Sequence, residues 1–167
     1  MNRLEIETPL GSMLLAAKDE KLCGAWFVDQ RHFPAMVSDW SSRSSQLLRL
    51  AEEQIHAFFN AELTDFSLPL EPRGTAFQRS VWEKLIGIGY AETCSYGQIA
   101  QSLSMPSAAR AVGAAVGRNP LSLVVPCHRV VGSGGNLTGY AGGLERKQKL
   151  LALETWAVSA TRPAKTA

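Results

Sequence analysis

Pro126-Cys127-His128-Arg129-Val130 places a nucleophile and a base side by side. The segment ends an apolar run, Leu121-Ser122-Leu123-Val124-Val125, which reads as a buried strand. A thiolate is a soft, strong nucleophile, and a neighbouring imidazole can lower the thiol's pKa, so this is a place for covalent chemistry. The competing reading is a buried, inert cysteine. Adjacent strand residues point to opposite faces. A thiol and imidazole in this order therefore meet only through a bend or a bridging water. A second stretch, Asn136-Leu137-Thr138-Gly139-Tyr140-Ala141-Gly142-Gly143, sets three glycines around a tyrosine. Such a loop can close over a ligand with its backbone exposed. It lacks phosphate-loop spacing, so no nucleotide cradle is expected.

The elements that must position these residues read as two halves. Leu4–Thr8, Met13–Ala17 and Leu22–Val28 alternate or run apolar between turns, as an antiparallel meander does. Residues 38–45 form a polar loop. Leu47, Leu48, Ala51, Ile55, Phe58 and Phe59 mark an amphipathic helix over 46–60. Leu63–Leu70 suits one more strand. Pro69-Leu70-Glu71-Pro72-Arg73-Gly74 is the best boundary, predicting domains at 1–72 and 73–167. Beyond it the chain reads as helical. One helix begins near Thr75. Another follows the capping box Ser95-Tyr96-Gly97-Gln98, and a third, over Ala108–Gly117, is almost wholly Ala, Val and Gly. The last two resemble a helix-turn-helix, or equally any tight helical corner. The third helix carries no base-reading side chain, and Arg110 is its only long one. Its small residues suit close approach to another helix or to a shallow nucleic-acid groove. Glu145–Glu154 reads as the last helix and Thr155–Ala167 as a frayed tail.

Composition narrows the function. With 167 residues, 46% apolar and 19% charged, the chain suits a soluble globular fold and not a collagen, coiled coil or disordered segment. No apolar run approaches the ~18 residues a membrane helix needs. The N-terminus does not read as a signal peptide. Three scattered cysteines suggest free thiols in a reducing compartment, so a cytoplasmic location is expected. Residues 1–72 hold 6 Lys/Arg against 11 Asp/Glu, and residues 73–167 hold 11 against 4. A basic half invites a polyanion, although solvated faces also explain it.

Pro126–Val130 resembles the active-site signature of the O6-alkylguanine-DNA alkyltransferases, the methylated-DNA–protein-cysteine methyltransferases. Ser95-Tyr96-Gly97-Gln98-Ile99-Ala100, Ala108–Ala114, Arg118-Asn119-Pro120, Gly139–Leu144 and Leu150-Leu151-Ala152-Leu153-Glu154 resemble the family in order and spacing. The likeness is close over 74–154 and only in outline over 1–72. It implies an α/β fold: a small N-terminal domain with an antiparallel sheet, and a helical, winged-helix-like C-terminal domain with a helix-turn-helix. It implies direct, irreversible, single-turnover transfer of an alkyl group from O6-alkylguanine, and from O4-alkylthymine, in duplex DNA to Cys127. His128 would activate the thiol through a water, Glu154 would hold His128, and Asn119 would brace the turn. Tyr96 would donate to guanine N3 so that the base leaves neutral. Arg110 would enter the duplex from the minor groove and fill the space of the flipped nucleotide. Ala109, Ala111, Gly113, Arg118 and Arg129 would lie at the DNA. Val130, Tyr140, Ala141 and Val116 would line the base pocket, with Ser122 helping set its breadth.

The resemblance implies no cofactor. No metal is expected, because Cys23 and His32 are too few for the zinc site of some relatives. The expected partner is damaged double-stranded DNA, bound by a monomer with room for cooperativity along the duplex. The alternative is a non-catalytic module that recognises alkylated bases, which Cys127 disfavours. A cysteine hydrolase is a more distant option, since no oxyanion-hole glycine pattern accompanies the Cys-His pair.

Overall fold

The computed structural model describes residues 1–35 and 40–161. Three strands, β1 (Asn2–Ile6), β2 (Met13–Lys18) and β3 (Lys21–Phe27), form an antiparallel sheet in sequence order. Lys18-Asp19-Glu20-Lys21 is a tight connection in which Asp19 and Glu20 both take positive φ. Residues 38 and 39 of the expected polar loop lie outside the described residues. Ser41 extends the sheet by pairing with β1. Helix α1 (Gln46–Phe59) is capped by Ser45 and covers one sheet face with Leu48, Ala51, Ile55 and Phe58. Trp26, Phe33 and Trp40 pack over the other face.

The C-terminal part is mostly helical. Helix α2 (Ala76–Ile86) starts at a Thr75–Gln78 capping box, and α3 (Tyr96–Ser102) at the Ser95–Gln98 box. Helix α4 (Ala109–Gly117) packs on both, and Trp82 donates from Nε1 to Ala115 O at 2.8 Å. Helices α3 and α4 with their 103–108 turn make the helix-turn-helix. Two residue pairs form a small parallel sheet, β4 (Cys94–Ser95) with β5 (Val130–Val131), too short to be visible in the sequence.

Three sequence expectations fail here for physical reasons. Residues 121–125 are not a strand. Leu121 makes one bridge to Ala25, the chain turns at Leu123 (φ 74°), and Val125 N donates back to Leu121 O at 2.8 Å. Residues 63–70 supply one bridge, Leu70 to Leu22. The last helix, α5, runs Leu144–Thr161, so Thr155–Thr161 of the expected frayed tail is helical, while residues 162–167 of it lie outside the described residues. Ala157 is buried, and the hydroxyls of Thr155, Ser159 and Thr161 bond back one turn.

One apolar core runs through both parts. The free edge of β3 is closed by two segments: Leu22 pairs with Pro69 and Glu71, and Ala25 with Pro120 and Ser122. Covering an exposed edge in this way satisfies its backbone groups. It also fixes the 120–122 backbone, which leads into Cys127, to the N-terminal sheet. Among the described residues no helix is long and apolar enough to cross a membrane.

Candidate active site

The chain reaches Cys127 through a sequence of short-range turns. Asn119, itself buried, donates from Nδ2 to Val125 O (2.9 Å) and Leu121 O (3.3 Å) and accepts from Leu121 N (3.0 Å). That brace holds Leu123 in the left-handed region, a strain of roughly 1–3 kcal/mol for a non-glycine residue. Pro126 (φ −78°, ψ 63°) then makes an inverse γ-turn, with Cys127 N bonded to Val125 O at 2.7 Å. Cys127-His128-Arg129 is a single 3₁₀ turn, so thiol and imidazole sit on a bend and not on a strand.

Cys127 is 3% exposed. Burial pushes its thiol above the ordinary value, while a hydrogen bond with Asn119 and the nearby charge of Lys147 act against that rise. The resting group is therefore a thiol that needs a base. His128 is fully buried, and its Nε2 lies 2.7 Å from Glu154 Oε1. Glu154 Oε2 accepts from Ala91 N (3.0 Å), and Arg129 grips both carboxylate oxygens through Nε and Nη2 at 2.9–3.1 Å. Burial alone would raise the Glu154 pKa; His128 and Arg129 together hold it below the ordinary value. A carboxylate can only accept, so Nε2 of His128 carries its proton and Nδ1 keeps its lone pair. Nδ1 is buried and, among the described residues, meets no hydrogen-bond partner. Burial holds the His128 pKa down, against the pull of Glu154, and so keeps the ring neutral.

Arg129 is therefore not a DNA contact. It is 5% exposed, donates to Ile88 O at 2.6 Å, lies over the Tyr90 ring and neutralises Glu154. Ser122 is not a pocket residue either: it is buried and donates to Gln30 Oε1 at 2.9 Å. Val130 is fully buried in β5, its N–H turned to Cys127 O, and it does not reach the cavity wall.

The cavity beside this cluster measures about 270 Å³ and is walled by Tyr96, Val116, Arg118, Tyr140, Ala141 and the Arg31–His32 corner. Gly113, also on its wall, lets α4 pass within ordinary contact of the Tyr96 ring. Cys127 does not itself line this space. Tyr140 spans the two: it faces the cavity, its pKa is driven well above 10 by burial and then by Cys127, and its hydroxyl is buried without a partner. Arg110 and Ala111 are exposed on the outer face of α4 and Ala109 is half-buried, while Arg118 stands exposed at the helix end.

Lys147 is the candidate site residue that sequence reading missed. It is wholly buried, and its Nζ donates to Thr138 O (2.8 Å) and Gly139 O (3.3 Å). The Tyr96 hydroxyl donates to the same Thr138 oxygen at 3.0 Å. Burial lowers the Lys147 pKa to about 8, and Cys127 opposes that fall. In the sequence it hides in the charged run Glu145-Arg146-Lys147-Gln148-Lys149. Its signal is spacing: 147, 150, 154 and 157 form the one buried stripe of α5. Among the described residues no three His, Cys, Asp or Glu side chains gather to hold a metal.

A buried thiol and an oriented neutral imidazole, set beside a helix-turn-helix, define a cysteine-nucleophile site on a helical framework. Residues 5–72 match the ribonuclease-like domain, and residues 76–156 the DNA binding domain, of 6-O-methylguanine DNA methyltransferase. A methylated-DNA–protein-cysteine methyltransferase of Mycolicibacterium paratuberculosis is 49% identical over 149 residues, 89% of each chain. One from Methanosarcina acetivorans is 45% identical over 89% of this chain and 94% of its own. The crystal structure of Mycobacterium tuberculosis OGT in complex with DNA superposes with a TM-score of 0.87 at 41% identity, covering 94% of each chain. The chain belongs to the methylated-DNA–protein-cysteine methyltransferase family.

Proposed function

We propose that this protein repairs DNA by moving an alkyl group from O6 of guanine, or O4 of thymine, in a duplex onto Cys127. The reaction is irreversible and occurs once per molecule. The observation that carries the reading is the partnerless, buried Nδ1 of His128, fixed as a proton acceptor by the Glu154–Arg129 pair behind it. One bridging water passes the Cys127 proton to Nδ1. Sγ then attacks the alkyl carbon in line: the S–C bond forms as the C–O6 bond breaks, and the bonding pair passes to the base. The Tyr96 hydroxyl turns from Thr138 O to guanine N3 and donates its proton there, so the base leaves neutral. His128 returns one proton to solvent and Tyr96 takes one up. The Lys147 ammonium favours the sulfur anion during this step.

The target base enters the cavity from the minor groove after flipping, with Arg110 filling its place and Ala109, Ala111 and Gly113 allowing close approach of α4. Arg118 meets the backbone at the rim. Tyr140, Ala141 and Val116 bound the base. We further propose that the chain divides into domains at 1–72 and 73–167 and works without a cofactor, as a monomer, in the cytoplasm. A thioether has no ionisable proton and is a poor leaving group, so nothing regenerates the thiol. The test is intact mass spectrometry after incubation with duplex DNA carrying O6-methylguanine. The mass should rise by one methyl on the Cys127 tryptic peptide, with Cys23 and Cys94 unchanged. Cys127→Ser should bind DNA and gain nothing. Repeated turnover, or undiminished transfer by Cys127→Ser, refutes the reading.

A further inference from the structure

Three consecutive residues after β3 each tie to a different element of the site. Asp29 pairs with Arg146 at the start of α5 (2.9 Å). Gln30, 6% exposed, accepts from Phe27 N and from Ser122 Oγ in the active-site turn, both at 2.9 Å. Arg31 N donates to Ala141 O in the glycine-rich loop at 2.9 Å. His32 follows with φ 61°, so the chain turns sharply there. Arg31 and His32 line the cavity shared by Tyr96 and Arg118. Arg31 is exposed, and among the described residues its guanidinium makes no ion pair or side-chain hydrogen bond. Arg118, on the same cavity, likewise has no anionic partner among the described residues. The nearby carboxylate, Asp29, is already neutralised by Arg146, whose contact holds its pKa below the ordinary value. Two unpaired guanidiniums on one cavity, one of them on a backbone anchored from both sides, make a preorganised anion site.

We propose that Arg31, from the N-terminal domain, binds a backbone phosphate of the nucleotide whose base occupies the cavity, opposite Arg118. The proposal rests on the alkyltransferase reading above. It assigns the N-terminal domain a direct share in holding damaged DNA, in addition to its scaffold role. Guanidinium suits this task because its planar fork meets a phosphate in two parallel hydrogen bonds.

The experiment measures affinity for a duplex carrying O6-methylguanine as a function of salt, in the Cys127→Ser background so that no transfer occurs. Wild-type side chain, Arg31→Ala and Arg31→Lys are compared, with thermal unfolding as the check on folding. One phosphate contact contributes about 0.9 to the log–log salt slope. Arg31→Ala should lose that increment, so between 50 and 200 mM salt its affinity should fall about 3.5-fold less than that of the parent. Arg31→Lys should retain the slope with weaker binding. An Arg31→Ala slope equal to the parent's overturns the proposal. Failure of the unsubstituted protein to take up the methyl group from the same duplex overturns the alkyltransferase reading instead, and the two results are read separately.

Discussion

Replacing Lys147 by Met separates what this residue does for the fold from what it does for the thiol. Its fall from an ordinary 10.5 to about 8 is a penalty of roughly 3 kcal/mol on the buried charged form at neutral pH. Against that stand two hydrogen bonds to carbonyls, worth about 1 kcal/mol each. Thr138 O keeps its bond from Tyr96, and Gly139 is exposed and can turn to water. Met fills a similar volume without charge. Lys147→Met should therefore be more stable than the parent at neutral pH, by about 1–2 kcal/mol. The sign with pH follows from proton binding. Between about 8 and 10.5 the unfolded parent holds a proton that the folded parent has lost, so parent stability rises with pH through that window. The variant has no such rise, and since the parent regains roughly 3 kcal/mol across the window, the variant's advantage should shrink and change sign before the upper end. Cys127 titrates in the opposite sense, and because loss of the Lys147 charge raises its folded pKa further, it cuts the variant's advantage in the same window. Urea unfolding at neutral pH and near pH 10 measures both values. Alkyl transfer should meanwhile slow by about tenfold for each unit by which the Cys127 pKa rises. A variant less stable than the parent at neutral pH, or an advantage that does not change with pH, refutes the assignment of a buried ammonium beside the thiol.

Glu154→Gln leaves Arg129 buried without a counter-charge, which should destabilise by about 3–5 kcal/mol, and its amide can turn the His128 tautomer the wrong way. Adding Arg129→Met should recover most of the stability, read by denaturation, and none of the transfer rate; recovery of both together contradicts a tautomer-setting role. Arg110→Ala should slow repair of duplex DNA far more than reaction with free O6-benzylguanine, because only the duplex requires an extrusion of a few kcal/mol; equal slowing on both places Arg110 elsewhere. Gly142→Ala brings a Cβ within 2.7 Å of the Tyr140 ring and 3.2 Å of Phe27. It should lower stability by about 1–3 kcal/mol and slow transfer on duplex and free base alike; an unchanged Tm would falsify the packing argument.

What could be read from the sequence was local. Ser95–Gln98 announces a helix start because a capping box is complete within four residues. Cys127 and His128 are legible because they are adjacent, and Glu154 through resemblance. Arg129 was misplaced because a sequence shows charge but not burial; only the fold reveals that its guanidinium closes on Glu154, 25 positions away. Residues 121–125 look like a strand because periodicity cannot tell a buried strand from a buried turn, and no propensity signals a left-handed leucine. Asp29, Gln30 and Arg31 carry no local pattern at all. Their roles exist in contacts to residues 92 to 117 positions further on in the chain.

Those distant contacts explain how the nucleophile of the proposed reaction can be kept in a resting form. A standing thiolate would be open to oxidation and to stray electrophiles. Here burial keeps sulfur protonated, and the base that would activate it is buried too, neutral and pointing an unused lone pair inward. Both groups depend on supports outside the turn that carries them. Asn119 and β3 fix the thiol's backbone, α5 supplies Glu154 and Lys147, and the glycine-rich loop supplies Tyr140. Because α5 contributes both the carboxylate that orients the base and the ammonium that favours the anion, a shift of this one helix alters proton acceptance and charge stabilisation together. On the proposed mechanism the buried stripe of α5 therefore carries both groups on a helix whose packing also closes the core, and at Lys147 the buried charge is kept where an apolar side chain would make the protein more stable.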